Sequence, residues 1–277
     1  MKLFLRIIAT FLMVSLLTLF TQVGGVIYLL CLPLFRWIRR SDRITRKGWV
    51  NFGSFLMVYL ICTLFVIPPL AKKFSQRVPL PYFGEHVQAL NIGYCLLNRH
   101  YVKPEMRTIL ERLGEKMGRQ YPESIIAYMD ASFPFWDGFR LLPHYSHKDG
   151  RKIDIALFYK DQKTGKRVHR KTPTAIGYGS SEGPRKGEYD RPSICEKQGY
   201  WPYTFMSKHL PAVPGRKLDF DPVRTQYFLK LLRSERSIRK VLIEPHLKAR
   251  LGFGGINKFR FAGCKAVRHD DHLHLEI

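Results

Sequence analysis

Acidic residues are scarce in this chain of 277 residues, where 22 Asp and Glu stand against 46 Lys and Arg. The resulting formal net charge of +24 predicts anionic surroundings, such as nucleic acid, lipid headgroups or an acidic polymer. We find no zinc-finger spacing, no aromatic RNA-binding motif and no helix-turn-helix punctuation in the sequence. We therefore expect no nucleic-acid partner and favour attraction to a membrane or to an acidic polymer.

Cysteine is also rare, with five residues in the whole chain. Cys31 and Cys62 lie in apolar runs, which leaves Cys95, Cys195 and Cys264 at irregular spacing. This spacing excludes a cysteine zinc site and a disulfide framework. One bridge among the three remains open if their domain lies in an oxidising compartment.

Long apolar runs are confined to the first 70 residues. Residues 7–35 and 49–70 are each long enough to cross a hydrocarbon core of roughly 30 Å. The first run exceeds that length, so we expect a single span that is tilted or bent near Gly24 and Gly25. A secretory signal peptide is the competing interpretation, but no small-x-small cleavage site follows. We predict a two-helix membrane anchor over residues 1–71, a linker over 72–82 and one domain over 83–277.

The segment between the two apolar runs, RWIRRSDRITRKGW, is strongly basic. The positive-inside rule places it in the cytoplasm, and two spans then place both termini and the domain outside the cytoplasmic membrane. Lys72, Lys73 and Arg77 argue against this orientation, because they follow the second run on the side that is predicted to be external.

Histidines concentrate in two short stretches, HYSHKDGRKIDI and the C-terminal HDDHLHLEI. The C-terminal stretch alternates polar and apolar residues, as a half-buried strand does. His272 and His274 therefore leave the same face, while Leu273 and Leu275 point into a core.

Asp154 is a lone charge between two isoleucines in a second predicted strand. A carboxylate in that position needs a cation or hydrogen bonds. Two histidines and an aspartate from two strands would hold Zn²⁺ with three protein ligands and an open fourth position, as in catalytic zinc sites. A single His-x-His on a strand is usually incidental, so this hypothesis depends on the clustering.

Two motifs carry a resemblance to known proteins. The segment HKDGRKID, from His147 to Asp154, resembles the H-x-x-G-x-x-x-D element of the lysostaphin, D-Ala-D-Ala peptidase and hedgehog group of zinc folds. His272 and His274 resemble the H-x-H at the end of that group's domain. The resemblance spans roughly residues 120–277, with a divergent middle.

The penicillin-insensitive murein endopeptidases are the nearer resemblance. They carry a further histidine three residues before the first ligand, matched by His144, and a terminal H-x-x-H-x-H whose first histidine is matched by His269. VLIEPHLKARL looks like their hydrophobic-Pro-x-hydrophobic-Lys segment. Their further Asp and His ligands have no counterpart that we can assign, so a second metal is not predicted.

The resemblance implies a role for each matched residue. His147, Asp154 and His274 become the zinc ligands, and His144 joins them as an accessory metal-site residue. His272 and His269 become the catalytic pair, with His272 as the base or transition-state stabiliser. The implied protein is a zinc hydrolase that cuts peptides in peptidoglycan.

The domain is predicted to be α+β, with a small antiparallel sheet flanked by helices after two transmembrane helices. Asp219 or Asp221 is predicted to cap a helix over residues 219–233, and FRLL (residues 139–142) to form a strand. Residues 160–217, rich in Gly, Pro and basic residues, are predicted to wall a substrate groove.

The expected function is a membrane-anchored zinc metallopeptidase on the periplasmic side of a bacterial inner membrane. Three alternatives stay open: a zinc domain without hydrolysis, a basic module that binds an anionic polymer, and a nuclease that uses the histidine cluster. No oligomeric state is predicted.

Overall fold

The computed structural model describes residues 1–142 and 144–277. A π-helical segment, Cys62–Val66, joins the third helix to the fourth. The α-helices are α1 (Lys2–Thr21), α2 (Gly24–Arg40), α3 (Lys47–Ile61), α4 (Ile67–Ser75), α5 (Ile92–Leu96), α6 (Pro104–Gln120), α7 (Arg191–Lys197), α8 (Trp201–His209), α9 (Pro222–Ser234) and α10 (Pro245–Arg250). The strands are β1 (Val78–Pro79), β2 (Val87–Ala89), β3 (Tyr101–Val102), β4 (Ile126–Tyr128), β5 (Lys152–Ala156), β6 (Tyr159–Asp161), β7 (Arg167–Val168), β8 (Leu218–Phe220), β9 (Lys240–Leu242), β10 (Phe259–Arg260) and β11 (His272–Glu276).

Two continuous helical segments, Leu3–Thr21 and Lys47–Ser75, are long and apolar enough to cross a membrane. The expectation of one span over residues 7–35 is wrong, because the chain turns back between α1 and α2. Gln22 has a φ of 66°, in the left-handed region that ends a helix. A Cβ on Gly25 would lie 2.6 Å from the carbonyl oxygen of Val14, so only glycine permits this close approach of the two helices.

The reversal changes the predicted arrangement of the chain ends. The corner between α1 and α2 contacts the domain, where the Gln22 side chain donates to the Phe135 carbonyl at 2.8 Å and accepts from its amide at 2.7 Å. The N-terminus therefore lies at the opposite end of the helices, together with the basic loop before α3. Two spans would have placed the N-terminus on the same side as the domain, and this expectation is wrong.

The residues that were predicted as a linker are packed against the domain. They include the end of α4 and β1, which pairs with β3 in an antiparallel ladder. Arg77 is fully buried, and its guanidinium donates to the Phe135 carbonyl at 3.0 Å and to the Lys148 carbonyl at 3.1 Å. These bonds fix the domain against the helices.

The domain is α+β and is built on a sheet of six strands in the order β10-β9-β11-β5-β4-β2. The centre is antiparallel, as predicted, whereas β9 and β10 at one edge and β2 and β4 at the other pair in parallel. The pairing of β11 with β5 sets Leu275 opposite Ile153 and His274 opposite Asp154. One face of these two strands therefore carries apolar residues and the other carries the histidines.

Helices α6 and α9 pack on the apolar face of the sheet. Along α6 the residues Met106, Ile109, Leu110, Leu113 and Met117 are buried, at the three- and four-residue spacing of an amphipathic helix. Helix α9 begins at the predicted place: the Asp221 carboxylate caps it by accepting from the Arg224 amide at 3.2 Å. Residues 139–142 form no strand, so that prediction is wrong.

The long segment after β7 folds into α7 and α8 over the polar face of the sheet. Cys195 in α7 is bonded to Cys264, 69 residues later, just before β11. This bridge is one of the pairings that the three domain cysteines left open. Residues 178–210, named the cover below, are tied by it to the chain that carries the last histidines.

Candidate metal centre

The strand register builds the site. Directly opposed residues in an antiparallel pair present their side chains on one face, within contact distance. His274 of β11 is directly opposite Asp154 of β5, and His272 is opposite Ala156. A tight turn before β5 adds His147, whose amide donates to the His144 carbonyl at 3.0 Å. The structure thus brings four sequence-predicted ligand candidates to one place.

Three donor atoms meet at the centre of this group. The His147 Nε2 atom lies 3.0 Å from His274 Nδ1 and 3.2 Å from Asp154 Oδ1, and His274 Nδ1 lies 2.9 Å from the same Oδ1. The ligand atoms of a tetrahedral zinc ion with bonds of about 2.0–2.1 Å lie roughly 3.3 Å apart. The donor set and its spacing therefore fit a zinc ion bound by His147, Asp154 and His274.

Neighbouring groups fix the direction of the ligands. His147 Nδ1 donates to the Ala131 carbonyl at 2.8 Å, so Nε2 is the ring nitrogen that faces the centre. The second carboxylate oxygen of Asp154 accepts from His144 Nδ1 at 2.6 Å and from the Tyr178 hydroxyl at 2.8 Å. These outer bonds leave the first oxygen of Asp154 for a metal.

His144 offers a second way to hold a cation. Ligand atoms of His144, His147 and Asp154 all lie within 4.8 Å of one another, and all three residues are buried. The Nδ1 atom of His144 is already used as a donor to Asp154, so Nε2 is its free ligand atom. Among residues 1–142 and 144–277, that Nε2 has no hydrogen-bond partner. Both ligand sets share His147 and Asp154.

His272 faces the same centre from the side. Its Nδ1 donates to the Asp271 carboxylate, and its Nε2 lies 3.7 Å from Asp154 Oδ1. That Nε2 has no hydrogen-bond partner in the described part of the chain, and neither has Nδ1 of His269. The His269 and His272 rings are 4.7 Å apart. Once Nε2 is deprotonated, His272 would offer a lone pair to a group that binds beside a metal.

Burial and charge set the protonation of the cluster without metal. Burial raises the pKa of the Asp154 carboxyl, but His147, His272 and His144 outweigh it and hold that pKa well below its usual range. Burial disfavours a charged His272, but the carboxylates of Asp154 and Asp271 outweigh burial and raise its pKa to about 9. A cation bound to Asp154 would replace this proton as the partner of the carboxylate.

Burial also keeps other histidines neutral. It lowers the pKa of His274 to about 4, although Asp154 opposes the shift. It lowers the pKa of His269 well below its usual range, and the neighbouring His272 adds to the effect. Neutral imidazoles are the form that binds metal.

The cover closes the site from above. The six side chains predicted for the site are at most 6% exposed: His144, His147, Asp154, His269, His272 and His274. The void beside His272 is bounded by Tyr203 and Met206 of α8 and has room for about one water molecule. Any molecule larger than water therefore reaches the centre only if α8 is displaced.

Sequence reasoning missed three residues of this centre. The Tyr178 hydroxyl donates to Asp154, and the Asp271 carboxylate accepts from His272. Buried Glu244 accepts from the His269 amide at 3.2 Å. Asp271 was visible as the acidic neighbour of His272. Tyr178 and Glu244 have no local signal, because segments far from β5 and β11 in sequence supply them.

Two other histidines stay outside the centre. His246 in α10 lies between Asp270, at 3.4 Å, and the Glu182 carbonyl, at 2.9 Å. His209 is exposed at the end of α8 and contacts the Phe205 carbonyl. Neither is placed to bind the same metal.

Neither the comparison with protein-family models nor the comparison with curated protein sequences finds a match to this chain. The resemblance to the murein endopeptidases therefore depends on the motifs alone.

Proposed function

We propose that this protein is a membrane-anchored zinc peptidase that hydrolyses cross-link or stem peptides of peptidoglycan. The observation that carries the proposal is the set of three buried donor atoms, 2.9–3.2 Å apart, from His147, Asp154 and His274. Two histidines and one carboxylate are a donor set typical of catalytic zinc sites. The motif resemblance supports peptidoglycan as the substrate class.

The remaining histidines fit the work of a peptidase. Zinc would supply a Lewis acid that polarises the scissile carbonyl and makes water a better nucleophile. The Nε2 of His272 is placed to take a proton or to steady the oxygen that gains negative charge, while Asp271 holds the ring. His269 lies behind His272 and restricts the ring's position.

The rest of the chain supports a place at the bacterial cytoplasmic membrane. The N-terminus and the basic loop before α3 share one end of the apolar helices, which suits the cytoplasmic side. The domain then faces the periplasm, where the Cys195–Cys264 bond would persist.

The first test measures zinc in the purified full-length chain in detergent. We expect about one zinc per wild-type chain, because the three ligands form one site. His274→Ala should bind little zinc, and His209→Ala, which changes an exposed histidine outside the site, should bind as much as the wild type. A folded wild type without zinc would refute the proposal and favour a basic module for anionic polymers.

The second test measures turnover. The wild type should cut a cross-linked muropeptide, and His272→Ala should lose that activity while it retains zinc. Zinc binding without any hydrolysis would support the non-catalytic zinc domain. Cleavage of nucleic acid instead of muropeptide would support the nuclease alternative.

A further inference from the structure

The loop over residues 133–142 and 144–148 connects the membrane helices to the metal centre. At one point it binds the corner of α1 and α2, through the two hydrogen bonds between Gln22 and Phe135. It also binds the buried guanidinium of Arg77, through the carbonyls of Phe133, Phe135 and Lys148. The same loop carries His144 and His147 into the centre.

These bonds bound the distance from the centre to the helix corner. His147 is fixed to the Ala131 carbonyl at 2.8 Å, and Phe135 follows Ala131 by four residues. Four residues span at most about 14 Å, so the centre lies within roughly 20 Å of the Gln22 side chain. Because the centre is held at that distance, it can act only on molecules that come close to the end of the helices at Gln22.

The loop presents aromatic side chains to its surroundings. Trp136 is 60% exposed and Tyr145 is 57% exposed. Arg140 lies over the Tyr145 ring at 5.7 Å, and Lys148 is exposed as well. Exposed aromatic rings next to basic side chains are typical of protein surfaces at the headgroup level of a bilayer.

The backbone of Trp136 gives an independent indication. Its φ is 45°, a left-handed conformation that is costly for a bulky residue. The conformation leaves the indole mostly in solvent, so burial within the chain does not repay the cost. Insertion of the indole into a membrane interface would repay it.

We propose that the loop over residues 133–142 and 144–148 rests on the outer headgroup layer, and that the metal centre opens next to His144 of this loop when α8 is displaced. The substrate class that follows is a peptide attached to a membrane lipid. This substrate class rests on the proposed peptidase function, whereas the membrane contact does not. Phe135 of this loop packs against the apolar cluster that the helices form around Val23 and Ile27.

The contact is tested by fluorescence of the full-length chain in phosphatidylethanolamine and phosphatidylglycerol vesicles. Replacing Trp37, Trp49 and Trp201 with Phe leaves Trp136 as the sole tryptophan. Lipids with a nitroxide at the headgroup should quench Trp136 as strongly as they quench a matched protein that keeps only Trp49. Quenching no stronger than in detergent without the nitroxide lipid would overturn the membrane contact.

The substrate class is tested with Trp136→Asn, because asparagine tolerates the left-handed backbone. We expect turnover of a lipid-anchored muropeptide in vesicles to fall about tenfold, because Trp136 no longer orients the loop, and with it the site, towards the headgroup layer. Turnover of the same peptide without its anchor should not change. Equal loss on both peptides would overturn the assignment of substrate class. A wild type that cuts neither peptide would refute the peptidase function and leave the quenching result standing.

Discussion

The floor and the cover of the metal centre are built in different ways. The floor consists of β5, β11 and residues 144–150, and its donor atoms are set by a strand register and short hydrogen bonds. The cover, residues 178–210, contains two short helices. It is joined to the rest of the chain by one disulfide, by ion pairs such as Arg250–Glu188 at 2.6 Å and by the hydrogen bond from Tyr178 to Asp154 at 2.8 Å.

The two parts also differ in how closely they are packed. Side chains of β5 and β11 interlock with α6 and α9 in the main core. The cover leaves Trp201 at 69% and Phe205 at 45% exposure. A segment with fewer buried contacts opens at lower free-energy cost. The difference suits the proposed function, in which a rigid floor would hold the metal and a mobile cover would admit a substrate.

The largest expected effect is on the floor. Asp154→Asn removes the only carboxylate of the proposed ligand set, and we expect the affinity for zinc to fall by at least about 100-fold. Competition with a chromophoric chelator measures this affinity. Asp161→Asn, an exposed change in the β6–β7 turn, should bind zinc as tightly as the wild type. Unchanged affinity in Asp154→Asn would contradict the proposed ligand set.

A change in the cover should alter stability but not metal binding. Cys195→Ser opens a loop of 69 residues, which costs about 4 kcal/mol in the chain-entropy account. We expect the thermal midpoint to fall by roughly 10 °C, with the zinc content unchanged. Cys95→Ser, which breaks no bridge, should lower it much less. Loss of zinc from Cys195→Ser would show that the floor depends on the cover.

Glu244 links the floor to the cover, since it contacts His269 next to β11 and Tyr203 of α8. Its titration therefore tests how stability depends on the contact between the two parts. Burial raises the pKa of its carboxyl to about 7. The folded chain then holds a proton that the unfolded chain releases near pH 4.5, so stability should fall as the pH rises from about 4.5 through 7, by at most about 3 kcal/mol. In Glu244→Gln this loss should disappear, so denaturant titrations from pH 5 to 8 should show a flatter profile than the wild type. Equal slopes in the two proteins would contradict the raised pKa.

The sequence predicted those parts of the fold that depend on local patterns. The alternation in β11 placed His272 and His274 on one face, and Asp221 with Pro222 marked the start of α9. Both follow from short-range geometry, which a single segment contains. The roles of the histidines in binding and catalysis stay predictions.

Other parts could not be predicted because they depend on contacts between distant segments. The reversal at Gln22 interrupts an apolar run that hydropathy reads as continuous, and the bonds to Phe135 accompany it. The pairing of Cys195 with Cys264 required the folded position of α7. Tyr178 reaches Asp154 from outside both predicted strands.

The sequence by itself determined which side chains were available for a metal and which faces of the strands they left, because side-chain direction follows from a period of two. Only the tertiary structure decided that Asp154 and His274 are paired across one register, because register depends on packing along the whole sheet. It likewise decided how close the centre lies to the apolar helices, because the hydrogen bonds that set this distance join residues more than 50 positions apart.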